Sequence, residues 1–273
     1  AYNTSVGYRS STALLGGSSN TSLGYDSLLA LTGGGSNVAI GAAAFKAAAV
    51  GETGNVIIGH GAADLFDEGA AGGDIDYNVA IGYDAFVGGD LAGNDRQVQG
   101  NIAIGAYALD ATADNAQTGT IAIGHSALSA LTSGAGNTAV GYQALTLQTN
   151  GNSNTAIGYQ ALSAMNGGEG ANVAIGYQAG LSIDAETSDY NIIIGANAGT
   201  GGAAAMSGCI VIGDNAMNST AANAQTGTIA IGLNALTSLT TGAKNTAVGY
   251  QAGSALTLGS SNIAIGYQSL LVM

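Results

Sequence analysis

The chain has 273 residues, a net charge of −13 and only four Lys or Arg residues. Binding to nucleic acid or to an anionic membrane needs clustered Lys and Arg, so this composition argues against both partners. The sequence has no apolar run approaching 18 residues, which argues against insertion into a membrane. Its single cysteine, Cys209, excludes a disulfide framework within the chain.

A short unit centred on a glycine recurs along the whole sequence. The residue before the glycine is Ile, Val or Leu in all fifteen copies, and the residue two positions earlier is Val, Ile or Thr. Asn stands four positions before the glycine in twelve copies, and Ala or Ser stands three positions after it in all of them. The central glycines are Gly7, Gly24, Gly41, Gly59, Gly82, Gly105, Gly124, Gly141, Gly158, Gly176, Gly195, Gly213, Gly232, Gly249 and Gly266. The steps between them run from 17 to 23 residues, and such a short, nearly constant period indicates a repeat array.

The repeat predicts short strands rather than helices, because its apolar residues are spaced by two and the chain contains 46 glycines. The glycine lets the chain turn, and the recurring Asn side chains are expected to hydrogen-bond to their equivalents in the next copy. We therefore predict an all-β fold, a parallel β-solenoid of about fifteen coils of 17–23 residues, formed as a single body by residues 1–273. The residues that carry this pattern most clearly are Asn137, Gly141, Asn154, Ile157, Gly158, Tyr159, Ala161, Asn172, Gly176, Asn245 and Gly249.

The predicted coils are regular over residues 1–58 and longer over residues 60–100. The longer coils contain eight of the seventeen acidic residues, and their extra residues are expected to form loops that protrude from one face. Calcium binds several oxygen ligands, so Asp67, Glu68, Asp74 and Asp76 form a candidate calcium site. The alternative is a solvated acidic loop that opposes aggregation. Calcium is the one cofactor that the sequence suggests.

The coils over residues 101–273 are again regular and contain a longer period. The sequence from Asn115 to Gly124 reappears unchanged from Asn223 to Gly232, at an offset of 108 residues. We interpret residues 101–165 and 209–273 as duplicated blocks.

A core enclosed by such short coils is expected to be thin and to consist of Ile, Val, Leu and Ala. Part of the apolar surface should then be buried between chains, most simply by parallel association of three, with the Ala-rich positions allowing close approach. The sequence therefore favours a homotrimer.

The sequence contains no catalytic motif such as a phosphate-binding loop, GxSxG or CxxC, so we predict that the protein is not an enzyme. His60 and His125 each follow a central glycine, where most copies have Tyr, and we interpret them as Tyr substitutes. The Tyr row itself has two interpretations, a structural stacking ladder or an aromatic strip that holds sugar rings. Its members are Tyr8, Tyr25, Tyr83, Tyr142, Tyr159, Tyr177, Tyr250 and Tyr267.

The pattern from Asn154 to Ala161, repeated from Asn172 to Ala179, resembles the head repeat of trimeric autotransporter adhesins. The Tyr-Gln-Ala-Leu extension at 142–145 and 159–162 looks even more like repeats of phage tail-fibre proteins. The resemblance implies a left-handed β-roll, three chains side by side, and binding to molecules on a host surface. The coils here are longer than those of adhesin heads.

The leading hypothesis is a non-enzymatic extracellular fibre section for attachment to a cell surface, a receptor-binding shaft of a phage tail fibre. A bacterial trimeric surface adhesin head and an end-to-end self-assembling filament subunit are the alternatives, with a polysaccharide-degrading tailspike behind them. The expected partners are further copies of the chain and a cell-surface glycan or protein receptor. The expected location is a virion appendage or a cell surface.

Overall fold

A computed structural model describes residues 2–66, 74–89, 97–112, 115–184, 187–201, 205–220 and 223–271 of the chain. The chain divides into two compact units, Ala1–Asn137 and Thr138–Met273. Every regular element among the described residues is a β-strand of two or three residues. The all-β prediction is therefore confirmed.

The described residues of the first unit form ten strands in two parallel sheets. They are β1 (Thr4–Val6), β2 (Thr21–Leu23), β3 (Val38–Ile40), β4 (Val56–Ile58), β5 (Asp74–Asp76), β6 (Val79–Ile81), β7 (Gln97–Gln99), β8 (Ile102–Ile104), β9 (Gln117–Thr118) and β10 (Ile121–Ile123). The larger sheet has the order β1-β2-β3-β4-β6-β8-β10, and the smaller one has the order β5-β7-β9. Isolated parallel bridges join Ser18 to Gly35 and Gly35 to Thr53.

The second unit repeats this arrangement. Its strands are β11 (Thr138–Val140), β12 (Thr155–Ile157), β13 (Val173–Ile175), β14 (Ile192–Ile194), β15 (Met206–Ser207), β16 (Ile210–Ile212), β17 (Gln225–Thr226), β18 (Ile229–Ile231), β19 (Thr246–Val248) and β20 (Ile263–Ile265). The larger sheet has the order β11-β12-β13-β14-β16-β18-β19-β20, and β15 pairs with β17 in the smaller one.

Equivalent residues of successive copies lie side by side in both large sheets. Ala156, for example, pairs with Ala174 in the next turn. The seven strands of the first unit and the eight of the second give six and seven intervals, or about 13 turns of a parallel β-solenoid. The solenoid prediction is confirmed, while its left-handed sense stays a prediction. Of the predicted protruding loops, residues 67–73 and 90–96 lie outside the described residues.

The core of each turn contains many small side chains. The middle residue of the strand points inward and is fully buried, as at Ala156, whereas Ile157 beside it is 38% exposed. Of the Ile, Val, Leu and Ala residues expected in the core, Ala and Leu are the main contributors, whereas the two β-branched residues that flank the middle position lie on the outer face of most strands. The remaining core consists largely of Leu side chains such as Leu145 and Leu162, and it includes all three Phe residues.

The Ala residues do not provide the close approach between chains that the sequence predicts. Ala139, Ala156 and Ala174 on the strands have no exposed surface in a single chain, and neither does Ala161 in the turn. These positions cannot be where another chain approaches. The small residues instead allow opposite sides of one turn to come together.

The predicted Asn ladder is present. In the second unit Asn191 donates to Asn172 Oδ1 through both its backbone N (3.0 Å) and its Nδ2 (2.9 Å), and Asn172 makes the same two bonds to Asn154. Each Nδ2 also donates to a backbone carbonyl, as Asn172 does to Ser188 O at 2.7 Å. The buried amide of Asn172 thus connects its strand to Asn154 in the preceding turn and to the backbone carbonyl of Ser188.

Thr120, Cys209 and Thr228 interrupt this ladder. Their backbone position is unchanged, since Cys209 N still donates to Asn191 Oδ1 at 3.0 Å. The buried hydroxyls of Thr120 and Thr228 have no hydrogen-bond partner among the described residues. The Cys209 thiol lies 3.6 Å from Gln225 O, a weak substitute for an amide donor. Cys209 is fully buried.

The central glycines stack directly on one another. Gly158 has a φ of +139°, and a Cβ built on it would collide with the carbonyl oxygen of Gly176 in the next turn. Gly141 and Gly176 meet the same obstacle in their own next turns. Glycine is therefore required at this position both for its backbone angle and for contact between layers.

The corner after each central glycine uses the left-handed region even where the residue is not glycine. Gln160 and Leu162 have φ values of 53° and 52°, and Ala171, just before the repeat Asn, has a φ of 57°. A left-handed conformation costs a residue with a Cβ roughly 1–2 kcal/mol. Hydrogen bonds between turns hold these residues in place, for example from Gln160 N to Tyr142 O at 2.9 Å.

We predict that Asn172→Ala lowers the free energy of unfolding by about 2–4 kcal/mol, because it leaves the buried N–H groups of Asn191 without their acceptor. Chemical denaturation measures the change. Asn166→Ala is the matched control, since Asn166 is exposed. Equal losses in the two variants would mean that the ladder contributes no stability.

We also predict that Ala171→Gly raises the free energy of unfolding by roughly 0.5–1 kcal/mol, because glycine adopts the left-handed conformation at that exposed site without strain. Other copies already have glycine there, as at Gly208, where a Cβ would meet open space. Ala196→Gly in the same unit should instead destabilise the protein, since Ala196 has no positive φ. A loss of stability in both variants would refute this account of the corner.

Candidate functional site

The corner after the central glycine displays the same side chains in turn after turn. In the second unit the rings of Tyr142, Tyr159 and Tyr177 stack with centroids 5.2 and 5.3 Å apart and planes within 10° of parallel. They are 43%, 42% and 51% exposed. Tyr250 and Tyr267 form a further stacked pair at 5.1 Å. We call Tyr142, Tyr159 and Tyr177 the tyrosine ladder.

A row of glutamines runs beside the tyrosine ladder. Gln160 Nε2 donates to Gln143 Oε1 and Gln178 Nε2 donates to Gln160 Oε1, both at 2.9 Å. Gln268 makes the same bond to Gln251 at 2.8 Å. Since each glutamine follows its tyrosine directly, the two rows form one repeated polar and aromatic strip.

The stacking bears on how this strip could hold a sugar. Each ring turns a face towards the ring of the next turn, so the outer surface consists largely of ring edges and hydroxyl groups. A broad aromatic platform for a sugar ring is therefore not formed along the ladder. Recognition of a glycan here would depend on hydrogen bonds from phenol and amide groups.

The corresponding row of the first unit is less regular. His60 stacks on Tyr83 at 5.3 Å, as expected for a Tyr substitute. Ala106 occupies the next Tyr position, and Tyr107 reaches across from the following position to contact Tyr83 and His125 edge to face, at 5.5 and 5.7 Å. Tyr107 was not predicted as part of this row, although its place one residue after the expected position was a visible signal.

Charge distinguishes the aromatic row of the first unit from the tyrosine ladder of the second. The carboxylate of Asp84 raises the pKa of the Tyr83 hydroxyl, and Asp84 Oδ1 lies 4.0 Å from His60 Nδ1. From residue 138 to residue 183, by contrast, Glu169 is the only charged side chain in the sequence, and it is buried. The stretch that carries the tyrosine ladder therefore has no exposed charged side chain.

A cation lies beside the first stacked pair, Tyr8 and Tyr25. Arg9 lies 5.6 Å from the Tyr8 ring and 5.7 Å from the Tyr25 ring, and it forms an ion pair with Asp26. The hydrogen bonds from Arg9 lower the pKa of the Asp26 carboxyl. This arrangement holds the Tyr8–Tyr25 pair by charge as well as by stacking.

The candidate calcium site is described only in part. Asp67 and Glu68 lie outside the described residues. Asp74 and Asp76 are on β5, where Asp74 Oδ2 accepts a bond from Gln99 Nε2 at 3.4 Å and Asp76 Oδ1 accepts one from Thr53 N at 2.7 Å. In the described ranges, no three His, Cys, Asp or Glu side chains are grouped so that they could hold a metal ion.

Two buried carboxylates support corners of the solenoid, and neither was predicted from the sequence. Glu52 Oε1 accepts a hydrogen bond from Ala49 N at 2.7 Å, and Glu169 Oε2 accepts one from Gly167 N at 3.0 Å. Each stands three residues before a repeat Asn, which was the available signal. An open pocket of about 410 Å³ lies beside the second corner, lined by Thr149, Asn150, Asn166, Gly167 and Gly168.

Comparison of the chain with protein-family models, curated proteins and solved structures gives no match. Within the described residues there is no helix with the length and apolar character that crossing a bilayer requires. The fold and the repeated strip are thus the observations on which a function can be argued.

We predict that Asp76→Asn increases stability at pH 7 and leaves it unchanged near pH 3. Burial raises the pKa of the Asp76 carboxyl above its ordinary value of 3.8, with a further contribution from Asp74, although the bond from Thr53 N opposes the shift. A raised pKa means that the folded state binds the proton more tightly, so stability falls as pH rises through that range. Thermal unfolding at both pH values measures the difference, and a variant that is less stable at pH 7 would refute it.

The same variant tests the calcium prediction. Calcium should raise the melting temperature of the wild type, relative to EDTA, and have a smaller effect on Asp76→Asn, because a ligand that binds the folded state stabilises it. No response of the wild type to calcium would exclude the site.

Proposed function

We propose that the protein is a non-enzymatic section of an extracellular fibre that attaches to a cell surface, as the receptor-binding shaft of a phage tail fibre. The observation that carries the proposal is the repeated strip, in which Tyr142, Tyr159 and Tyr177 with their glutamines present the same exposed groups in three successive turns. Such an array suits a partner that is itself repetitive, because several weak contacts then act together.

The rigidity of the scaffold supports this role. Tyr and Gln side chains have several rotamers in solution, and fixing them on binding costs free energy. Here stacking and amide hydrogen bonds already restrict them, and the left-handed backbone of Gln160 is held by a bond to the preceding turn. The strip is therefore organised before a receptor arrives.

The receptor class follows from the chemistry of the strip. Phenol and amide groups both donate and accept hydrogen bonds, and the stretch from Tyr142 to Tyr177 has no exposed charged side chain. A neutral cell-surface glycan with closely spaced hydroxyl groups offers the complementary pattern. A protein receptor with a polar surface is the second possibility.

Association of three parallel chains is part of the proposal. The outer sheet face of the second unit exposes apolar side chains, including Ile157, Ile175 and Ile192 at 37–40%. Apolar residues in a row on a sheet face favour burial against another surface. A homotrimer would cover this face and present three copies of the strip.

A binding experiment with labelled protein tests the proposed function. We expect saturable binding to cells of some strains in a panel of bacteria, measured by flow cytometry, and a mass near three times 26.3 kDa by light scattering. Tyr159→Ala should weaken binding by about tenfold or more, since it removes the middle contact of the ladder. Tyr190→Ala is the control, because Tyr190 is an exposed tyrosine that stands before a repeat Asn rather than after a central glycine.

Three results would contradict the proposal. Binding to no strain would remove the attachment role, and equal binding by the two variants would remove the strip from it. Release of reducing ends from surface polysaccharide would show an enzyme instead.

A further inference from the structure

The tyrosine ladder places phenol rings in a geometry that suits a covalent reaction between turns. Tyr142, Tyr159 and Tyr177 occupy the same position in successive turns, and their rings are nearly parallel at 5.2 and 5.3 Å. The rings of neighbouring residues therefore lie next to each other with their planes aligned. All three rings are also exposed, so a reagent in solution can reach them.

We propose that the tyrosine ladder is a site of oxidative cross-linking, in which neighbouring turns become joined by dityrosine. The oxidant is hydrogen peroxide used by a haem peroxidase. The proposal concerns the chemistry of the ladder itself and is independent of what the protein attaches to.

Each cross-link consumes two phenols and one hydrogen peroxide. The activated peroxidase takes one electron and one proton from each of two phenols, which gives two tyrosyl radicals and reduces one hydrogen peroxide to two waters. The radicals couple through the ring carbons next to the hydroxyl-bearing carbons, and one carbon–carbon bond forms. The hydrogen on each coupled carbon then moves to the phenoxyl oxygen and restores both phenols. The product has lost one hydrogen atom per tyrosine.

Proximity is what selects these residues. Two radicals held side by side react as partners in one molecule, which replaces a slow encounter between separate chains. The sequence contains no Trp, so no indole competes for the oxidation. The only thiol, Cys209, is buried, and burial raises its pKa, which keeps the reactive thiolate scarce.

The structure also predicts which other tyrosines react. The stacked pair Tyr250–Tyr267, at 5.1 Å and 10°, shares the geometry of the ladder. The ring centroids of Tyr83 and Tyr107 are 5.5 Å apart, but their planes are 71° from parallel, so the two rings are not aligned. We expect cross-links in the first pair and few in the second.

The product would act as a staple. A bond between Tyr142 and Tyr159 closes a loop across one full turn, and such a link restricts the unfolded chain. The modified solenoid should therefore unfold at a higher temperature than the untreated protein.

The test uses the full chain, dilute, with hydrogen peroxide and a haem peroxidase. Unlabelled protein and an equal amount of protein labelled with a heavy nitrogen isotope are unfolded together and refolded before the oxidation, so that any trimer contains both kinds of chain. The product is digested with thermolysin and analysed by mass spectrometry. We expect joined peptides that contain Tyr159 with Tyr142 or with Tyr177. Each joined pair should be fully light or fully heavy, which shows that both tyrosines belong to one chain.

Two variants make the test specific. Tyr159→Phe keeps a stacking ring but removes the middle phenol. The amount of joined peptides from the tyrosine ladder should therefore fall by about tenfold or more. Tyr190→Phe removes an exposed tyrosine, 72% accessible, and should leave these peptides unchanged. Circular dichroism checks that both variants keep the fold.

The outcomes decide the proposal. Fully light or fully heavy ladder peptides that disappear in Tyr159→Phe support it. Mixed light and heavy pairs would mean coupling between chains, and joined peptides of Tyr190 as abundant as those of the ladder would mean that exposure alone selects the site. Either of these results, or the absence of dityrosine, would overturn it.

Discussion

Contact between the central glycines of successive turns is the constraint on which the rest of the structure depends. A side chain on Gly158 would occupy the space of the Gly176 carbonyl, so any larger residue would push two turns apart. The turn spacing set by this contact is short enough for parallel strand hydrogen bonds. It also places the amide of Asn172 within 2.9 Å of that of Asn191, and the rings of Tyr159 and Tyr177 within stacking distance. Three separate rows of side chains thus follow from one steric requirement.

The fold could be predicted from the sequence because the pattern is local and repeated. A glycine every 17–23 residues, preceded by alternating β-branched residues, leaves a parallel β-solenoid as the simplest way to pair every copy. The Asn ladder followed from the same reasoning, since identical amides in register can bond to each other. These features need no knowledge of which side of the strand is inside.

Orientation was the harder problem. Ala156 and Ile157 alternate, and the sequence alone does not decide which of them is core, whereas the structure buries the alanine and exposes the isoleucine. The left-handed angles of Gln160 and Leu162 were likewise not evident, because neither residue prefers that region on its own. Tyr107 shows a third limit, since its ring reaches the row from a different backbone position. Each miss concerns tertiary packing, which local preference does not encode.

The candidate sites differ in how far the sequence could locate them. The exposed Tyr and Gln rows were visible as periodic residues, but the parallel stacking that turns ring faces towards each other was not. The four acidic residues proposed for calcium were chosen by proximity in sequence, and the structure shows two of them engaged by Thr53 and Gln99. Glu169 escaped notice because a single acid in a neutral stretch does not resemble a motif.

A solenoid whose turns are nearly identical faces a problem of register. A strand that slipped by one turn during folding would meet an Asn, a glycine and a tyrosine in the expected places. The slipped state would then be nearly as stable as the correct one, so little free energy would favour its correction. Thr120, Cys209 and Thr228 break that degeneracy, because a slipped chain would set a neighbouring amide against a hydroxyl or thiol that cannot replace it. The irregular positions of the ladder are therefore the landmarks by which each turn can recognise its own neighbour.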